Sequence, residues 1–237
     1  MNRLILILFL LPSLLFAQDE KAYKLYGDAV EYYYQKDFQK AISSFEEAIK
    51  LKPDFQFAYY NKALALFEIK SYNEAIKDFS IVIKMDSSYV DAYKFRAQSY
   101  IKESDYERAI SDLYSLIAFN PKVVEPFKNL GLCYYYTRQY KLANEAYQRY
   151  LESNIEDISI WFQKGMSNYY YADYDGGIKD FTKVLELNKD YVTALEWRGK
   201  CHQKANYINK ACEDWELAMS KGLSSSKELF NKFCESE

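Results

Sequence analysis

The sequence predicts an all-α protein built from antiparallel helix pairs, and three observations carry that prediction. Glycine (7) and proline (4) are scarce among the 237 residues, which favours long helices joined by short turns. An amphipathic helix, FQKAISSFEEAIKLKPD at 38–54, returns as YNEAIKDFSIVIKMDSS at 72–88 and as YERAISDLYSLIAFNPK at 106–122. A small residue recurs every 34 positions without insertion, at Ala41, Ala75, Ala109, Ala143, Gly177 and Ala211. With 49% hydrophobic residues the chain can bury a core, as one domain or as one array of repeats.

The first segment stands apart from the repeats. MNR supplies a positive start, Leu4 to Leu11 is unbroken and apolar, and Pro12-Ser13 precedes LLFA and the charged DEK. This is the layout of a secretory signal peptide, too short to span a bilayer comfortably as a mature helix. Residues 1–17 are the expected signal, with cleavage after Ala17, although Leu15 is bulkier than the residue usual at minus three. An uncleaved anchor is the alternative. With no cysteine nearby, attachment of a lipid to a processed N-terminal Cys has nothing to act on. The mature chain is therefore expected to be exported, periplasmic or secreted, with no stable membrane insertion after cleavage.

Each later unit reads as a first helix of about fourteen residues, a tight turn such as QKD, KES or TRQ, and a second helix folding back on it. In the second helix the small residue is followed four positions on by Phe45, Phe79, Leu113, Tyr147, Phe181 and Trp215. Three positions before it come Phe38, Tyr72, Tyr106, Tyr140, Tyr174 and Ile208. The first helix carries its own small residue at Ala29, Ala63, Ala97, Gly131, Gly165 and Gly199, with Leu25, Tyr59, Tyr93, Phe127, Trp161 and Leu195 four positions earlier. Large residues at i and i+4 share a helical face, and the small ones let two backbones approach. Pro53 and Pro121 fall just past a second helix, where a missing N–H is tolerated. One such pair cannot bury its apolar faces alone, so neighbours must stack.

This pattern resembles the tetratricopeptide repeat: an aromatic, Leu-Gly or Ala, Tyr, then Ala, Phe, Ala and Pro within 34 residues. The resemblance covers residues 22–225 as six copies (22–55, 56–89, 90–123, 124–157, 158–191 and 192–225), with 226–237 as a C-terminal capping helix, and suggests an exported bacterial member. Copy four departs at Ile155, where the proline would stand, and copy five at Gly176-Gly177. The resemblance implies a right-handed superhelical solenoid whose first helices line a concave groove that holds peptide or protein segments.

The expected groove is unusually aromatic, in a chain with 25 tyrosines and 15 phenylalanines. The inward positions, second, fifth, ninth, twelfth and thirteenth of each repeat, give Tyr23, Tyr26, Val30, Tyr33 and Tyr34 in copy one and Phe57, Tyr60, Leu64, Phe67 and Glu68 in copy two. Copy four gives Tyr135 and Tyr136 among others, and copy five gives Phe162, Met166, Tyr169 and Tyr170. Copies three and six are more polar there. The candidate peptide-binding residues are Tyr23, Tyr26, Tyr33, Tyr34, Phe57, Tyr60, Phe67, Tyr135, Phe162 and Tyr169. An exposed aromatic stripe marks a binding surface or a covered one. The competing readings are structural filling of a tightly wound superhelix, self-association, coverage by the chain's own N-terminal tail, and carbohydrate binding through ring stacking.

The expected function is thus a non-enzymatic scaffold. A net charge of -3 gives no basic field for nucleic acid. The one histidine, His202, occupies a packing position, and no HExxH, phosphate loop or nucleophile elbow appears. Asp173, Asp175 and Gly176 lack the spaced carboxylates of a calcium loop. No cofactor or metal is called for, and the four cysteines lack zinc-ligand spacing. Cys133 and Cys201 sit two copies apart, too far to pair. Cys212–Cys234 is the favoured disulfide, stapling the cap to the array, with Cys201–Cys212 a rival and four free thiols a third reading.

Overall fold

The computed structural model describes residues 2–234, with side chains from residue 17 onward. The expected signal segment, residues 1–17, lies outside those described side chains except for Ala17. Thirteen helices and no strand occur among the described residues. They fall into two compact units, Met1–Asn120 and Pro121–Glu237.

The first unit holds α1 (Asn2–Tyr34), α2 (Phe38–Leu51), α3 (Gln56–Glu68), α4 (Tyr72–Met85), α5 (Val90–Lys102) and α6 (Tyr106–Phe119). Each helix packs against the next in the chain, and α3 also touches α1 and α5. The second unit holds α7 (Glu125–Tyr136), α8 (Tyr140–Leu151), α9 (Ile158–Tyr171), α10 (Tyr174–Leu187), α11 (Val192–Lys204), α12 (Ile208–Ser220) and α13 (Ser225–Phe233). Here too neighbours in sequence pack together, and α9 also touches α11. No helix among the described residues is long and apolar enough to cross a membrane.

The small residues sit where two helices cross. Ala41, Ala75, Ala109, Ala143 and Ala211 are fully buried, as are Ala29, Ala63 and Ala97. A Cβ built on Gly131 would lie 2.4 Å from the Tyr147 ring, and one on Gly199 would lie 2.5 Å from Trp215 Nε1. Gly131, Gly165 and Gly199 thus leave room on the first helix for Tyr147, Phe181 and Trp215 of the second.

The turns close without glycine. Lys36, Lys70, Ser104, Arg138, Ala172 and Asn206, 34 residues apart, all take positive φ between 60° and 66°. The following N–H reaches back five residues each time, as in Asp37 N–H to the Tyr32 carbonyl (2.9 Å) and Asp105 N–H to that of Tyr100 (2.8 Å). This is the Schellman arrangement, which satisfies carbonyls left open at a helix end. The carboxylates of Asp37, Asp105 and Asp173 then cap the next helix, accepting from the backbone N–H of Lys40, Arg108 and Gly176.

A second repeated device joins the two helices of a pair. Lys62–Asp78 (3.1 Å), Arg96–Asp112 (2.7 Å), Lys164–Asp180 (2.7 Å) and Arg198–Asp214 (2.6 Å) are ion pairs whose aspartates are buried. Burial pushes the Asp78, Asp112 and Asp180 carboxyls above the ordinary carboxylate range, against the opposing pull of their cations. The α7–α8 pair has Leu130 and Ala146 at the same positions, and α1–α2 has Asp28 and Ser44.

The last helix is tied down three ways. Cys212 and Cys234 form a disulfide (2.02 Å), Phe233 meets Trp215 at 5.8 Å between ring centroids, and Ser226 donates to Glu196 at 3.2 Å. Cys133 and Cys201 are free and fully buried, and desolvation pushes both thiols up to about 12, which leaves them unreactive at neutral pH.

Candidate functional site

The candidate aromatic residues divide by exposure. Tyr23 (54%), Tyr34 (80%) and Phe57 (55%) stand largely in solvent, whereas Tyr26, Tyr33, Tyr60, Phe67, Tyr135, Phe162 and Tyr169 are half-buried. The half-buried rings pack on neighbours. Tyr26 lies 4.9 Å from Phe55 and accepts a hydrogen bond from Asn61 Nδ2 at 2.7 Å. Tyr60 lies 4.9 Å from Tyr89, and Phe162 5.2 Å from Tyr191. Tyr33 meets Phe38, Phe67 meets Tyr72, Tyr135 meets Tyr140, and Tyr169 meets Tyr174.

The fifth repeat position thus serves a joint. Its partner lies 29 residues on, just before or at the start of the next first helix: Tyr26 with Phe55, Tyr60 with Tyr89 and Phe162 with Tyr191. In two copies without a ring there, a polar pair takes its place. Lys128 meets Asp157 at 3.4 Å, and Glu196 accepts from Ser225. In four copies the twelfth position packs on the aromatic that opens the second helix of its own pair. Most of the candidate stripe is therefore shared between holding pairs together and facing outward.

The candidate rings that remain open lie on the first helices of each unit. In the first unit Tyr23 and Tyr34 (α1) and Phe57 (α3) are exposed, as are Tyr114 and Phe119 on the second helix α6. In the second unit Tyr136 (56%, α7) and Tyr170 (47%, α9) are exposed, with Tyr170 stacked on Tyr140 at 5.3 Å. Beside them a pocket of 180 Å³ opens among Leu132, Tyr135, Tyr136, Tyr147, Phe162, Gln163 and Met166. Desolvation pushes the Tyr135 phenol up to about 12, so it is a neutral donor in water.

A larger polar cavity of 510 Å³ lies between α8 and α10, and its counterpart of 350 Å³ lies between α2 and α4. Every residue lining the smaller cavity has its counterpart, 102 positions on, in the larger, including Lys62–Asp78 in one and Lys164–Asp180 in the other. These cations and anions neutralise each other within the fold. No group of three or more His, Cys, Asp or Glu residues able to hold a metal occurs among the described residues. His202 is buried, 3.8 Å from Asp214, and burial lowers its pKa below the ordinary histidine value.

Sequence reading missed the ion pairs and the pocket. The ion pairs had a signal, a basic residue and an aspartate 16 positions apart in four copies. The pocket's only signal was a repeat position held by Gly27, Asn61, Phe95, Asn129, Gln163 and Trp197, where two of the six are rings and Gln163 is not.

Stacked helix–turn–helix pairs with a fixed period define a helical repeat protein. Tetratricopeptide repeat families match residues 22–55, 71–123 and 129–154, and the chain belongs to the tetratricopeptide repeat family. Similar solved structures include YrrB, described as a TPR protein with an unusual peptide-binding site; it is 23% identical, with TM-score 0.69, over 79% of this chain and 97% of that one. MamA of Desulfovibrio magneticus RS-1 is 22% identical, with TM-score 0.66, over 72% and 97%. The C-terminal part of a TPR repeat-containing protein from Cytophaga hutchinsonii is 17% identical, with TM-score 0.71, over 83% and 78%. At these identities the likeness concerns the fold. No curated protein matches the chain.

Proposed function

We propose that this protein is a non-catalytic scaffold that holds a peptide or protein segment on the first-helix face of its repeats, after export to the periplasm or cell exterior. The carrying observation is the set of solvent-facing rings on first helices, Tyr23, Tyr34 and Phe57 in one unit and Tyr136 and Tyr170 in the other. Tyrosine and phenylalanine kept in water are hard to account for by packing and suit a binding face, since each offers large contact area at low entropic cost. The division into six repeats of 34 residues from 22 to 225, closed by a cap, is the frame for this reading, and the export step rests on residues 1–17.

The test is selection of a displayed random peptide library on the full chain, beside a variant carrying Tyr34→Ser, Phe57→Ser, Tyr136→Ser and Tyr170→Ser. These side chains are exposed, so circular dichroism should show an unchanged fold. Peptides that bind the wild type and bind the variant at least about tenfold more weakly support the reading, because each lost anchor is worth ~1 kcal/mol or more. Equal binding by both removes the aromatic face from the account.

A further inference from the structure

The contact between successive first helices contains a seat the size of one aromatic ring, and the chain itself shows what fills it. In the first unit Phe95 of α5 lies flat over Phe79 of α4, with centroids 6.0 Å and planes 16° apart. In the second unit Trp197 of α11 lies over Phe181 of α10, 6.5 Å and 25° apart. The flanks of the Phe95 seat include Tyr60 at 6.4 Å and Phe67 at 5.8 Å, and Tyr169 flanks Trp197 at 5.2 Å.

The seat on α7 to α9 is built from the same positions but holds no ring. Its floor is Tyr147, fully buried and equivalent to Phe79 and Phe181. Where Phe95 and Trp197 stand, this copy has Gln163. At the α1–α3 contact the equivalent residue is also polar, Asn61, but there the fifth-position ring Tyr26 lies 5.7 Å from the floor ring Phe45, as Tyr60 does from Phe79 (5.9 Å) and Phe162 from Phe181 (5.4 Å). That second ring is missing here too, because the residue equivalent to Tyr26 is Lys128, held 3.4 Å from Asp157. Both sources of a covering ring are absent, and a pocket of 180 Å³ remains between Leu132 and Tyr135 on one side and Phe162 and Met166 on the other.

We propose that this pocket is the anchor site for one aromatic side chain of a bound peptide segment, a tryptophan, tyrosine or phenylalanine seated over Tyr147 as Trp197 is seated over Phe181. The inference rests on the scaffold reading above and adds the chemistry of the partner. Its volume suits a ring: an apolar protein cavity of roughly 150 Å³ stays dry and takes up benzene. The lining is mostly apolar side chain and ring, and within it Tyr147 Oη donates to Gln163 Oε1 at 2.9 Å. Gln163 Nε2 has no protein acceptor among the described residues, which leaves its hydrogens for a phenol oxygen or a backbone carbonyl of the segment. A desolvated aromatic pocket beside exposed rings is the usual form of a binding hot spot.

The probes are p-cresol and indole, the side chains of tyrosine and tryptophan, titrated into the full chain with methyl groups labelled on leucine and methionine. Both should shift Leu132 and Met166, and N-acetyl-leucinamide should do so more weakly. Gln163→Trp copies the arrangement at Trp197 and should weaken both probes by about tenfold or more, while Gln163→Ala should keep the pocket open and retain them. If Gln163→Trp does not fold, Leu132→Phe closes the seat from the other wall and serves in its place. No shift at Leu132 and Met166 with either probe, or equal binding by the closed-pocket variant, overturns the proposal. A displayed peptide library separates the two readings. Selected peptides that carry an aromatic residue and lose binding to Gln163→Trp support the anchor. Selected peptides without one, bound equally by the variant, overturn the anchor and leave the scaffold standing. Probe binding with no peptide selected keeps the pocket and removes the scaffold.

Discussion

Arg96 and Asp112 show how a charged pair can belong to a core. Arg96 donates from Nε at 2.8 Å and from Nη2 at 2.7 Å to the two carboxylate oxygens, and from Nη1 to Ser80 at 3.0 Å. Removing one partner strands the other, and breaking a buried pair costs about 3–5 kcal/mol, while apolar replacement of both is often neutral. Asp112→Ala should therefore lower stability by about 3 kcal/mol in urea unfolding, and Arg96→Leu with Asp112→Ala should recover most of it, since the chain itself uses Leu130 and Ala146 there. His202 gives a pH prediction. Its folded pKa lies below the unfolded value of 6.5, so the stability tied to the neutral ring is present above that pH and is lost as pH falls below it. Melting temperature should fall between pH 7 and roughly pH 5.5 in the wild type, and His202→Gln should flatten that fall. The turns offer the opposite sign. Ala172 has a φ of 66°, where a Cβ is strained, so Ala172→Gly should raise stability by about 0.5–1 kcal/mol in chemical denaturation.

Helix α13 is held by a disulfide that closes a separation of 22 residues onto α12. Reduction should lower thermal stability by about 3 kcal/mol and raise hydrogen exchange in α13, with Cys133 and Cys201 staying buried and unmodified in the native state. The positions of the helices follow from sequence where one residue type dictates a contact. Phe38, Tyr72, Tyr106, Tyr140, Tyr174 and Ile208 each open a second helix, and their 34-residue period was visible before any coordinates. The turns were legible in length and not in conformation. Lys36, Lys70, Ser104, Arg138 and Ala172 carry no composition signal for positive φ, because the Schellman bonds of the helix end impose it.

Across the whole chain, what the sequence hid was partnership. A lysine or arginine on an amphipathic helix ordinarily reads as solvated, whereas the second helix sets an aspartate against each of Lys62, Arg96, Lys164 and Arg198. Tyr26, Tyr60 and Phe162 looked like free groove residues because their partners lie 29 positions away in the chain. The repeat period carried the fold, and the candidate site lies where covering rings run out: Gln163 over Tyr147, where Phe95 and Trp197 cover Phe79 and Phe181, and aromatics left exposed on first helices. The central claim is that the first helices present the binding face. The most direct measurement is hydrogen exchange on the full chain with and without a saturating peptide recovered by library selection. Slowed exchange concentrated in α1 and α3, or in α7 and α9, is the predicted result. Protection confined to second helices such as α8 and α10, with the first helices unchanged, would contradict it.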